Sequence, residues 1–245
     1  MSPARPKRRK NQTPADPREA AVAHLRALDP RWAPILDVVG PCTFEVRPDR
    51  FGTLVRAIVG QQISAKAAAS IDKRVRDLAG EKHEPAALLA LGEEGLRSAG
   101  LSGVKARYIL NLSRAVEEGA VPLDEVHTWD DDAIIAALTT VKGIGAWTAE
   151  MFLIFALGRL DILSVGDLGI RVGLRNFYGL EAMPTPKECR ELAEPWRPYR
   201  TIAMWYLWQQ IDAPRDAKTK AQAEAIAEEE SERQIIVADR PKRTQ

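Results

Sequence analysis

The chain has 245 residues, 45% of them hydrophobic and 28% charged, with a formal net charge of only +1. That length holds one sizeable core or two small lobes, and the balance fits a globular chain, not a fibrous or disordered one. No apolar run approaches the roughly 20 residues of a membrane span, Met1 to Lys10 lacks the apolar centre of a secretion signal, and Cys42 and Cys189 alone suggest neither a disulfide framework nor a metal site.

Residues 1–16 carry a basic run (Arg5, Lys7, Arg8, Arg9, Lys10) without periodicity and read as a disordered arm. From 17 to 211 the pattern is helical. Phe51, Leu54, Val55, Ile58 and Val59 recur at the spacing of one helix face. Ser64 is placed to cap a following helix with Ala68, Ile71, Val75 and Leu78 on its apolar side, and Gly80 to end it. Segments 85–91, 104–116 and 131–138 predict further helices, the last capped by Asp130. Segment 146–157 is apolar throughout and predicts a buried core helix. Only 43–46 suggests an extended piece, and nothing alternates as hairpin strands do, so the predicted fold is all-α. His24, His83 and His127 read as surface residues. Residues 212–245 read as a polar helix and frayed tail with an acidic run, Glu228, Glu229, Glu230 and Glu232.

One segment carries chemistry. Residues 138–150 read Leu-Thr-Thr-Val-Lys-Gly-Ile-Gly-Ala-Trp-Thr-Ala-Glu. A helix ends near Thr139, Gly143 and Gly145 make a tight turn around Ile144, and a new helix starts at about Ala146. Glycine permits backbone angles and close approaches that side chains block, and Ile144 can plug the turn into a core. The free N–H groups at the start of the second helix then form an anion site suited to a DNA phosphate. An ordinary helical hairpin with a glycine turn has the same local pattern. Twenty residues beyond Trp147, Asp167 stands where a helix from Leu168 needs a cap. A carboxylate there is stabilised as the anion.

The hairpin, the apolar helix and the aspartate together resemble the helix-hairpin-helix DNA glycosylase superfamily, and within it the 3-methyladenine DNA glycosylase II branch. Ile58-Val-Gly-Gln-Gln-Ile-Ser-Ala-Lys-Ala67, Leu101-Ser-Gly-Val-Lys-Ala-Arg-Tyr-Ile-Leu110 and Trp196-Arg-Pro-Tyr-Arg-Thr-Ile-Ala-Met-Trp-Tyr-Leu-Trp208 are similar to its helix junction, second hairpin-like element and closing helix. The resemblance spans roughly residues 20–211. It implies a two-lobed helical core that binds duplex DNA, flips an alkylated base into a pocket and hydrolyses its glycosidic bond, with Asp167 facing the cationic sugar. It places Trp147, Trp208, Met151 and Gly169 at the pocket, and Gln61, Gln62, Ser64, Lys142, Gly143, Gly145 and Thr148 at the DNA. Trp205 and Tyr206 are expected to divide between core and rim. It also implies a structural cation, monovalent or magnesium, on the backbone carbonyls of Thr139, Val141 and Ile144, with no cofactor required for catalysis.

Bifunctional members carry a nucleophilic lysine where this chain has Trp147, so strand cleavage is not expected. The resemblance to bacterial relatives does not extend to their β-rich N-terminal domain, which is not expected in this chain. Met151 and Gly169 replace larger residues, which predicts an open pocket and a broad lesion range. A monomer in the cytoplasm, nucleoid-associated in a bacterial-type cell and without membrane contact, is the expectation. Two rivals stay open on the residues alone: a glycosylase for oxidised or mismatched bases, and a hairpin DNA-binding module without catalysis. A helical adaptor explains neither the glycine hairpin nor its spacing to Asp167.

Overall fold

Side-chain caps start six of the helices. The computed structural model describes residues 16–211, so the basic arm up to residue 15 and the tail from 212 lie outside it. Eleven α-helices and no strand occur among the described residues. They are α1 (Pro17–Leu28), α2 (Trp32–Val39), α3 (Arg50–Gly60), α4 (Ala65–Ala79), α5 (Pro85–Ser98), α6 (Gly103–Glu117), α7 (Asp131–Thr139), α8 (Ala146–Phe155), α9 (Leu168–Tyr178), α10 (Pro186–Ala193) and α11 (200–211). No helix there is long and apolar enough to cross a membrane. Asp16, assigned from sequence to the arm, caps α1 through the Arg18 N–H at 2.9 Å. Ser64, Ser102, Asp167 and Thr185 cap α4, α6, α9 and α10 with side-chain oxygens.

The helices pack in two groups. In one, α3 lies against α8 and α4, while α5 with α6 and α7 with α8 complete the layer around them. In the other, α1, α2, α9, α10 and α11 surround an aromatic centre of Trp32, Phe177 and Trp196. Tyr206 of α11 ties that centre to the end of α2 by donating to the Gly40 carbonyl at 3.0 Å. Apolar side chains from both groups join in one buried cluster, and the linking stretches 41–49 and 156–167 run between them. The predicted two-lobed helical architecture is the one observed.

Several local expectations change. The helix predicted over 85–91 continues to Ser98 after a break at Gly92, whose φ of +63° only glycine adopts freely. Segment 43–46 pairs with no strand; Arg47 N–H next to it donates instead to Phe155 O at 2.7 Å. Asp130 stands at the N-cap of α7 without making the side-chain bond. Leu78 is 49% exposed, because α4 buries fully only Asp72 and Val75, with Ala68, Ile71 and Ala79 packed partly against the core. Trp205 and Tyr206 are both buried, so neither forms a rim. His83 is buried too, its Nε2 3.0 Å from Asp72 Oδ1, an ion-pair distance without hydrogen-bond alignment. His24 is half-buried against Tyr199, and only His127 lies in the open.

Candidate active site

The hairpin between α7 and α8 is clamped from three directions. Val141 and Ile144 are buried, and the Ile144 N–H donates to Val141 O at 3.0 Å, closing the turn. Gly143 has φ +109°, and a Cβ there would lie 2.2 Å from Tyr108 Cγ on α6. Gly145 differs: its φ is −95° and a Cβ would meet open space. Asn111 donates to Lys142 O at 3.3 Å, while Gln61 Nε2 donates to Gly143 O at 3.2 Å and to Thr148 Oγ1 at 3.0 Å. Lys105 secures Gln61 in turn, its ammonium reaching Val59 O at 2.7 Å and Gln61 O at 2.6 Å. Those are carbonyls that the end of α3 leaves open. Burial pulls the Lys105 ammonium below its ordinary pKa.

Gly145 caps α8 without a side-chain bond, and the N–H groups of Ala146, Trp147 and Thr148 find no acceptor among the described residues. Such a helix start attracts an anion. Across the gap, Asp167 caps α9, with Oδ1 accepting the Ile170 N–H at 2.9 Å. Two indoles converge on the same carboxyl. Trp147 Nε1 donates to Oδ2 at 2.8 Å and Trp208 Nε1 to Oδ1 at 3.2 Å. Trp208 is stacked on Phe155, ring centroids 6.0 Å apart. Three donors on one carboxyl fix its orientation.

A cleft of about 810 Å³ opens here, lined by the α3–α4 junction, the start of α8 and residues 166–169. Asp167, Trp147, Gly169, Gly145, Gln61, Gln62, Ser64 and Thr148 all border it. Gln62 is exposed with φ +58°, a left-handed backbone uncommon for a residue with a side chain. The apolar side chains of Ile63, 38% exposed, and Leu168, 65% exposed, stand on its wall.

Other predicted roles shift. Met151 does not border the cleft: it is buried, because α8 is covered on nearly all sides one turn beyond its start. Trp208 meets Asp167 and Gly169 but is not part of the lining. The Gln61 amide and the Thr148 hydroxyl bind each other at the cleft edge, where they also act as clamps on the hairpin. Ser64 spends its hydroxyl oxygen on the α4 cap, accepting from Ala67 N–H at 3.3 Å. Lys142 is exposed beside the turn. Gly169 has a packing reason as well as an opening effect, since a Cβ would sit 3.0 Å from Asp167 Oδ1 and 3.3 Å from Trp208 Cδ1.

Two clusters escaped the sequence reading. Ser164, fully buried, donates to Glu150 Oε2 at 2.5 Å. Asp161 is gripped by Arg200 and Arg197, Nε of Arg200 at 2.7 Å, which anchors the loop before Asp167. A lone serine or glutamate in an apolar stretch hints at such bonds without naming the partner. For a metal, no group of three His, Cys, Asp or Glu side chains converges among the described residues. The carbonyls of Thr139 and Ile144 accept no hydrogen bond there, and that of Val141 accepts only the Ile144 N–H.

Residues 55–198 match the family described as HhH-GPD superfamily base excision DNA repair protein. The alkylbase DNA glycosidase-like protein mag2 of Schizosaccharomyces pombe is 33% identical over 195 residues, 77% of this chain and 92% of its own. DNA-3-methyladenine glycosylase 1 of the same yeast is 34% identical, covering 77% of this chain and 86% of its own. The solved structure of the 3-methyladenine DNA glycosylase of that yeast in complex with abasic DNA superposes with a TM-score of 0.72. It is 33% identical, over 78% of this chain and 95% of that one.

Proposed function

The chain belongs to the HhH-GPD superfamily of base excision DNA repair proteins, and on that premise we propose that it is a monofunctional glycosylase releasing alkylated bases from duplex DNA. The carrying observation is Asp167, its carboxyl held by Trp147, Trp208 and Ile170 on the wall of a cleft that opens beside the free start of α8. A DNA phosphate taken by the N–H groups of α8 sets the register of the duplex. The damaged nucleotide leaves the stack and enters the cleft. Its glycosidic bond breaks with both electrons going to the base, and the sugar becomes oxocarbenium-like. The Asp167 charge stabilises that cation, water adds at the anomeric carbon, and the water's proton is lost to Asp167 or solvent.

A base alkylated on a ring nitrogen is already cationic and leaves without a general acid. That fits a site in which no histidine borders the cleft. The indole of Trp147 on the cleft wall offers a flat cation its electron-rich face. With tryptophan at the position of the bifunctional members' lysine, no Schiff base forms and the backbone stays intact.

The finer readings concern range and setting. With Met151 buried, the open pocket rests on Gly169 and the width of the cleft. Release of 1-methyladenine or 3-methylcytosine beside 3-methyladenine and 7-methylguanine tests it, and activity confined to 3-methyladenine sinks it. The open carbonyls of Thr139 and Ile144, with that of Val141, which accepts only the Ile144 N–H, suit a hard cation, which would add positive charge for phosphate binding. The protein works as a cytoplasmic monomer.

The deciding assay compares the wild type with Asp167→Asn on methylated duplex DNA. Asparagine still caps α9, so the fold and DNA binding persist while free-base release falls by about 10²-fold or more. Borohydride traps no covalent complex with the wild type. A variant as active as the wild type overturns the proposal.

A further inference from the structure

The two grips that α8 has on the Asp167 loop are one turn apart. Trp147 and Glu150 share a helix face at i and i+3. Trp147 binds the Asp167 carboxyl directly, and Glu150 accepts the Ser164 hydroxyl at 2.5 Å. Every polar atom of Ser164 is engaged. Its N–H meets Met204 Sδ of α11 at 3.2 Å, its hydroxyl meets Glu150, and its carbonyl accepts the Asp167 N–H at 3.2 Å. Between Ser164 and Asp167, the backbones of Val165 and Gly166 make no hydrogen bond among the described residues. Ser164 is therefore the last fixed point before the carboxylate.

We propose that Glu150 is a positioning residue that, through Ser164, holds the Asp167 backbone at the depth where its carboxylate meets the sugar. This rests on the reading of Asp167 as the catalytic carboxylate. A glutamate in this place is costly. Burial raises its pKa above the ordinary value, and the nearby Asp167 raises it further, while Ser164 and Arg190 of α10 work the other way. A serine bonded only to backbone would fix the loop without that cost. The carboxylate instead reaches across from α8, so the helix that presents N–H groups to the phosphate also sets the carboxylate that faces the sugar. Errors of about 1 Å at such a point cost about a hundredfold in rate.

The test uses Glu150→Ala, Glu150→Gln, Ser164→Ala and the double alanine variant. Single-turnover release of 7-methylguanine is measured, together with affinity for duplexes holding a pyrrolidine abasic nucleotide, a cationic sugar mimic, or its neutral tetrahydrofuran counterpart. Each alanine variant loses about tenfold or more in rate, and the double variant is no worse than either single to within about twofold, as members of one chain of bonds behave. Preference for the cationic over the neutral duplex falls with the rate, while affinity for the neutral duplex holds. Glu150→Gln restores most of the rate, since its amide oxygen still accepts the Ser164 hydroxyl. The inference is overturned by a Glu150→Ala variant at the wild-type rate, by additive losses, by equal loss of both affinities, or by a glutamine variant as impaired as the alanine one. A wild type that releases no base defeats the proposed function instead, and the affinity ratio still judges Glu150.

Discussion

The indole N–H of Trp147 points at Asp167 Oδ2 from 2.8 Å away, joining the first turn of α8 to the cap of α9. The polar edge of the ring thus serves the carboxylate. Trp147→Phe keeps the ring and removes the donor. A hydrogen bond to a charged group contributes about 1.5–3 kcal/mol, so the release step should slow by about ten- to a hundredfold. Single-turnover kinetics with a parallel duplex-binding titration check it. Loss of affinity with the rate untouched would make the contact a matter of binding alone.

The two hairpin glycines separate fold from function. Gly143→Ala forces a Cβ to 2.2 Å from Tyr108 Cγ at a φ of +109°. Strain of both kinds should cost about 2 kcal/mol or more, read as a lowered unfolding midpoint. Gly145→Ala meets nothing within the protein and should stay within about 1 kcal/mol of the wild type. Gly145 borders the cleft at the start of α8, so a methyl there takes space that a bound phosphate would use, and duplex affinity should fall by about tenfold, the equivalent of about one charge-assisted hydrogen bond. If Gly145→Ala binds normally, the start of α8 is not the phosphate site.

These contrasts show which parts of the site were legible in the sequence. The Asp167 cap and the Gly143–Gly145 turn are local events, settled within four or five residues, and both stand where the spacing puts them. The Gln61 clamp on the hairpin spans 82 and 87 positions, and Ser164 meets Met204 across 40. No periodicity encodes such pairs. Met151 was misplaced for a related reason: it follows Trp147 by one turn on the same face, but the depth at which a face becomes covered depends on the packing of α3 and α7 against α8.

Glu150 gives a pH signature. Burial, its largest influence, raises the folded-state pKa above the ordinary value of 4.5. An acid raised in this way favours the fold below its unfolded pKa and loses that contribution as pH rises through the folded value. Towards neutral pH the buried Glu150 carboxyl is therefore a cost, which Glu150→Gln removes. The variant's unfolding midpoint should exceed the wild type's near pH 7, with the gap closing as pH falls towards about 4. A gap that stays constant over that interval would show that the carboxylate carries no burial cost.

Gly169 is the remaining route by which pocket width and catalysis meet. It is the second residue of α9, where glycine costs up to about 1 kcal/mol relative to alanine, so helix stability alone would favour Gly169→Ala. The added Cβ would, however, lie 3.0 Å from Asp167 Oδ1 and 3.3–3.4 Å from Trp208 Cδ1 and Nε1. Trp208 is backed by Phe155, so the indole must retreat by a few tenths of an ångström and lengthen its 3.2 Å bond to Asp167. The expected result is an unfolding midpoint equal to or above the wild type's with base release slowed by about tenfold, the usual exchange of stability for activity at a strained site. Parallel assays on 3-methyladenine and 7-methylguanine separate the two effects. A uniform slowing of both points to Asp167 and Trp208, whereas a loss confined to the bulkier purine adduct points to pocket width. Wild-type rates on both would remove Gly169 from the site.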